Sequence, residues 1–189
     1  MKKLVLLASL AASLTAAVPA WAQKVKLATS MGDIVLQLDI DKAPKTVANF
    51  VQYVKAGHYN GTIFHRVIDG FMVQGGGMQA DLQEKPTRAP ITLESKNGLS
   101  NVRGSLAMAR TQVPDSATAQ FFINLGDNLR LDAANSPDGN GYAVFGRVID
   151  GMDVVDRIKA VTVGNKADYQ NVPQQPILIK QATLIGETK

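Results

Sequence analysis

A mainly β fold is what this 189-residue sequence predicts: strands that close, or nearly close, into an antiparallel barrel, with two helices packed against its openings. Three observations carry that expectation. About eight short runs alternate apolar and polar residues, with Gly, Asp or Asn at their joints. Only two stretches have helical spacing. The 46% hydrophobic content is enough for a packed core, over a length suited to a single domain.

Met1 to Ala22 stands outside that fold and reads as a secretory signal. Lys2 and Lys3 give a charged start, Leu4 to Val18 is an apolar run, and Ala20-Trp21-Ala22 supplies a small-x-small cleavage pattern. The run is shorter than the roughly 20 residues that a membrane span needs. Cleavage after Ala22 leaves residues 23–189, with 18 basic against 16 acidic side chains and no basic cluster. That balance argues against nucleic acid or an anionic membrane as a partner. No cysteine stands at the cut to carry a lipid and no later stretch approaches a membrane span, so the expected location is the bacterial periplasm, with secretion to the medium as the alternative.

Val25–Thr29 and Ile34–Leu38 alternate around Ser30-Met31-Gly32-Asp33, a hairpin pattern. Pro44 then opens a helix in which Val47, Phe50, Val51 and Val54 fall at i, i+3, i+4 and i+7, and Gly57 ends it. The strand candidates that follow are Thr62–Ile68, Phe71–Gln74, Leu106–Ala109, Gln120–Leu125 and Ala143–Val148. A second helix is expected over Met152–Ala160, with Met152, Val155 and Ile158 in one stripe, before a last strand at Ile177–Ile185. Gly75–Gly104 and Val161–Pro176 read as long polar loops, either shaping a binding surface or simply connecting. Phe64–Gly70 is echoed at Phe145–Gly151, but the continuations differ. Two strands ending in similar turns explain the echo better than duplication does.

The chemistry is narrowed first by absences. Without cysteine there is no disulfide, thiol nucleophile or Cys-ligated zinc, and two histidines, His58 and His65, are too few for a His-rich metal site. No nucleophile elbow, P-loop or dinucleotide fingerprint is present, and Gly75-Gly76-Gly77 lacks the residues of a phosphate cradle. What stands out is the run from Phe64 to Gly76. As a regular strand, Thr62–Ile68 places Phe64, Arg66 and Ile68 on one face and His65 and Val67 on the other. Arg66 is then either paired in a core or displayed at the edge of an apolar groove; His65 reads as a satisfied structural histidine, and Phe71 and Met72 as core.

The run Phe64-His65-Arg66-Val67-Ile68-Asp69-Gly70-Phe71-Met72-Val73-Gln74-Gly75-Gly76 resembles the signature of the cyclophilin-type peptidyl-prolyl isomerases. Leu106–Arg110, Gln120–Asn124 and Gly141–Gly146 follow in the family's order, so the resemblance covers residues 23–189 and looks nearest to the periplasmic bacterial branch. It implies a closed eight-stranded antiparallel β-barrel capped by two α-helices, with the groove on the outer face. It also implies a catalytic Arg66, a proline pocket lined by Phe71, Met72, Phe122 and Leu131, and Gln74, Gln120 and the Ala109-Arg110 backbone holding the peptide. Tyr142 stands where other members carry a pocket histidine. Arg130 replaces a tryptophan that contributes to cyclosporin contact in the family, so weak affinity for that drug is expected.

The implied activity accelerates X-Pro isomerisation in unfolded or partly folded exported polypeptides, by a monomer, with no cofactor or metal. Because arginine keeps its charge at any physiological pH, a flat pH profile goes with it. Two rival readings remain from the sequence. One is a chaperone or adaptor that binds proline segments with incidental turnover; the other is a lipocalin-like barrel, which would enclose a large cavity.

Overall fold

Lys24–Thr29 (β1) and Gly32–Leu38 (β2) form an antiparallel hairpin in the computed structural model, with Thr29 opposite Gly32. The structure describes residues 23–186, so the signal sequence expected over Met1–Ala22 lies outside the described residues. Pro44–Lys55 (α1) follows β2, with proline in its first turn and Gly57, at φ +66°, just beyond its end. The chain continues through Thr62–Ile68 (β3), Met72–Gly75 (β4), Ser105–Met108 (β5), Phe121–Asn124 (β6) and Val144–Asp150 (β7). Met152–Lys159 (α2), the short strands Val163–Lys166 (β8) and Tyr169–Pro173 (β9), and Leu178–Ile185 (β10) complete it.

Eight of these strands close into an antiparallel barrel in the order β1-β10-β3-β4-β6-β5-β7-β2. The expectation of an eight-stranded barrel with two helices holds. β2 runs from Gly32, where an added Cβ would lie 2.9 Å from Val154 of α2, to Leu38, beyond which α1 begins. The helices therefore start at opposite ends of the barrel. Inside it, Leu27, Leu36, Phe64, Phe121, Ile123 and Phe145 are fully buried. Phe50 of α1 closes one end against Tyr59, Phe121 and Phe145, at ring-centroid distances of 5.0, 5.5 and 5.1 Å. Side chains fill the interior, which removes the lipocalin reading.

Two of the sequence expectations need correction. The segment 161–176 is not all loop: β8 and β9 make a separate two-stranded hairpin, turned at Ala167, whose φ is +50°. Its strands, Val-Gly-Asn-Lys and Tyr-Gln-Asn-Val-Pro, are mostly polar, with Val172 and Pro173 as their buried residues, and therefore carry no alternating apolar signal. Nor does β3 run regularly. Its register against β4 slips between Phe64 and Arg66, a bulge at His65. The extra residue turns Phe64 into the barrel with Val67 while Arg66 faces outward, so Phe64 and Arg66 do not share a face.

The long segment after β4 supplies a distant helix cap. Glu94 accepts hydrogen bonds from the backbone N–H groups of Lys45 (3.1 Å) and Thr46 (2.8 Å) and from the Thr46 hydroxyl (2.7 Å). α1 has no side-chain cap of its own, so this carboxylate satisfies donors that would otherwise lack partners. Glu94→Ala is expected to cost about 1 kcal/mol, typical of a lost cap. In a thermal melt that is a fall of roughly 2–4 °C for a domain of this size; an unchanged midpoint would remove this role. The echoed segments also resolve as expected: Gly70 and Gly151 both sit at positive φ, one before β4 and the other before α2.

Candidate active site

Cross-strand register lines up one row of residues on the barrel's outer face. Arg66 opposes Gln74, Gln74 opposes Phe122, Phe122 opposes Ala107, and Ala107 opposes Val144. Side chains alternate along strands, so Ile68, Met72, Gln120 and Asn124 belong to the same face. Met72, Ala107, Phe122 and Val144 form a buried apolar patch there. Phe71, Ala109, Leu131 and Tyr142 pack around it, Tyr142 edge-to-face on Phe122 at 5.6 Å. An apolar patch thus lies on the same face as Arg66, next to Gln74.

Arg66 is half-buried and held without being neutralised. It donates to Gln74 Oε1 (3.3 Å), Gln74 Nε2 donates to Gln120 Oε1 (2.9 Å), and Gln120 Nε2 reaches Glu84 at 3.5 Å. Among the described residues no carboxylate lies within ion-pair distance of the guanidinium. Neutral amides therefore orient it and leave its charge available. Of the two options open at the sequence level, pairing in a core is not observed among the described residues; Arg66 is displayed on the outer face next to the apolar patch.

The glycine run explains how Gln120 reaches that chain. A Cβ on Gly77 would lie 2.4 Å from the Gln120 side chain, and one on Gly75 would lie 2.7 Å from Phe64. Those glycines let the backbone pass close over side chains, a role unrelated to phosphate.

His65, the bulged residue, is buried but not satisfied: its Nδ1 has no hydrogen-bond partner among the described residues. Burial, and then the neighbouring Arg66 charge, lower its pKa to about 4. The ring is thus neutral beside Arg66 under ordinary conditions. Its unfolded value is near 6.5, so between about pH 6.5 and 4 the unfolded chain binds the extra proton. Stability from this group is complete above pH 6.5 and is lost as pH falls toward 4. Replacement by glutamine should flatten that part of the melting-temperature profile; an identical slope in both proteins would contradict it.

Arg110 differs from what its place in the motif suggests. Its guanidinium donates to Gly141 O (2.7 Å) and pairs with Asp138, and it lies 4.9 Å from the Tyr142 ring. Asp138 is held well below the usual carboxylate range, first by the Asn140 backbone N–H and next by Arg110. The Arg110 head thus fastens the pocket loop, leaving the backbone of the Ala109-Arg110 stretch beside Gln120, to which Ala109 N donates at 3.0 Å.

Sequence reasoning missed two supports. Asn124 donates to Asn101 Oδ1 (3.1 Å) and Ser105 Oγ (2.9 Å) and accepts from Asn128 (2.7 Å). Asn128 also donates to Phe71 O (2.7 Å), and Asn101 donates twice to Asp132 (2.7 and 2.9 Å). This buried knot fixes the rim that carries Phe71 and Leu131. Its one sequence signal was an asparagine at an outward position of β6. The second support is the β8–β9 hairpin: Asp168, Tyr169, Gln170 and Asn171 line a cavity of about 340 Å3 with His65, Arg66, Gln74 and Gln120.

The sequence of the family described as cyclophilin type peptidyl-prolyl cis-trans isomerase/CLD matches residues 24–184. The chain belongs to the cyclophilins. Peptidyl-prolyl cis-trans isomerase cyp18 of Streptomyces antibioticus is 56% identical over 163 residues, covering 86% of this chain and 98% of the relative. Peptidyl-prolyl cis-trans isomerase A of Dickeya dadantii is 54% identical, covering 92% of both chains. A crystal structure of a Cryptosporidium parvum cyclophilin type isomerase superposes with a TM-score of 0.72 at 26% identity, covering 89% of this chain and 100% of that one. This cyclophilin is accordingly a peptidyl-prolyl cis-trans isomerase.

Proposed function

We propose that this cyclophilin catalyses X-Pro isomerisation in unfolded or partly folded exported proteins in the periplasm, as a monomer, with Arg66 as the catalytic residue. The observation that carries the reading is an unneutralised guanidinium at the mouth of an apolar slot. Phe71, Met72, Phe122 and Leu131 take the proline ring, Tyr142 backs Phe122, and Gln74, Gln120 and the Ala109-Arg110 backbone hold the flanking peptide.

Amide resonance sets the rotational barrier at roughly 18–20 kcal/mol, so the uncatalysed change takes tens to hundreds of seconds. About 10 turnovers per second requires roughly a thousandfold, or about 4 kcal/mol. In the half-rotated imide the prolyl nitrogen is pyramidal and accepts a hydrogen bond that the planar amide cannot. A donor aimed there stabilises the transition state more than either ground state. One charged hydrogen bond contributes roughly 1.5–3 kcal/mol. Anchoring the flanking peptide and removing water from the planar amide contribute the remainder.

Export is supported by the Met1–Ala22 pattern and by the start of the family match at residue 24, just beyond the expected cut. Cell fractionation checks location: release with the periplasmic contents, shortened by 22 residues, is expected, and retention in the cytoplasm at full length would contradict it.

The C. parvum relative was also crystallised in the presence of the dipeptide Ala-Pro, so an Ala-Pro peptide is the natural probe. NMR exchange on such a peptide tests the activity: acceleration is expected, and none would overturn the reading. The binding-module alternative predicts that Phe122→Ala abolishes holding of unfolded chains whereas Arg66→Ala leaves it intact and costs the cell nothing.

A further inference from the structure

We propose that Arg130 makes this site selective for charge, favouring proline segments that carry an Asp or Glu next to the proline at the Phe71 end of the slot. The inference rests on the isomerase reading above and adds a substrate class to it.

Arg130 is exposed on the short helical turn Leu129–Leu131, and its Cζ lies 4.8 Å from the centre of the Phe71 ring. Phe71 packs against the apolar patch, so this guanidinium forms part of the slot's rim. At that distance the guanidinium makes a cation–π contact with the ring, which uses none of its N–H donors as a hydrogen bond. Among the described residues Arg130 is the only arginine with neither a hydrogen bond nor an ion pair.

Neither acid flanking the turn forms an ion pair with Arg130. Asp127 accepts from the Arg103 backbone N–H (2.9 Å), and Asp132 accepts both donors of Asn101. The carboxylates that do border the site, Glu84 and Asp168, lie with Gln120 on its other side. The groove therefore has a free cation at one end and acids at the other. A planar fork with its donors open matches a carboxylate in two-point contact. Arg130 contacts the residue beside the proline, and acts on which peptide binds rather than on the rotating bond.

The test compares kcat/KM for peptides with Glu, Ala or Lys at the position before, and separately after, an isomerising proline. At one of these positions Glu is expected to exceed Lys by about fivefold at low salt, the size of an exposed ion pair. That ratio should shrink at about 0.5 M salt, where screening is strong. Arg130→Gln should bring the ratio close to one, and Arg130→Glu should invert it. Ratios that are the same in all three proteins at both positions, with the Ala peptide still turned over, overturn the selectivity and leave the isomerase reading standing. No turnover of any peptide by the unsubstituted protein would overturn both.

Discussion

Arg66→Ala is expected to lower kcat/KM on an Ala-Pro peptide by roughly ten- to 150-fold, the rate equivalent of one charged hydrogen bond made in the transition state. The fold should barely notice. Arg66 is half-buried, pairs with no carboxylate among the described residues, and bonds only to Gln74 at 3.3 Å, so a stability change within about 0.5 kcal/mol is expected. Lysine at the same position keeps the charge but loses the planar fork and the match to Gln74. Arg66→Lys should therefore recover only a minor part of the rate. Full activity in the alanine variant would mean that the slot alone carries catalysis.

The largest stability effect away from the apolar core is expected from Asn124→Ala. Asn124 is fully buried, and its removal strips partners from Asn101, Ser105 and Asn128 together. A buried polar group left without a partner costs about 1–3 kcal/mol. At roughly 2–4 °C for each kcal/mol, calorimetry should record a clear fall in Tm. KM should rise as well, because Asn128 loses one of the bonds that fix it against Phe71 O while the rim loosens. A variant with unchanged Tm and KM would show that the knot supports neither the fold nor the pocket.

What could be read from the sequence was whatever depends on local period. The β1–β2 hairpin, Pro44 at the start of α1 and the Val47-Phe50-Val51-Val54 stripe follow from two- and 3.6-residue spacing. The outward row from Arg66 to Val144 follows the same alternation once strand neighbours are known. The structure brings Arg66, Met72, Gln74, Gln120 and Phe122 to one face with Phe71, Ala109, Leu131 and Tyr142 around them, whereas Arg110 turns its head into the pocket loop, which the motif does not show.

What could not be read depends on partners distant in sequence. Glu94 lies 48 residues from the Thr46 it caps, and Asn101 lies 31 from Asp132. The bulge at His65 was hidden because Phe64-His65-Arg66-Val67 also fits a regular strand; only the position of Gly75 opposite Phe64 reveals the extra residue. The β8–β9 hairpin is not legible because its strands are short and polar, with Val172 and Pro173 as their buried residues, so no period of two emerges.

Arg66 as the catalytic residue acts on the half-rotated imide rather than on the bound peptide. NMR exchange measured across a titration separates the substrate Kd from the rate of cis-trans interconversion on the enzyme. For Arg66→Ala against the unsubstituted protein, the prediction is a nearly unchanged Kd with an on-enzyme rate lowered by the same factor as kcat/KM. A Kd weakened by that factor, with interconversion on the enzyme as fast as before, would contradict the central claim.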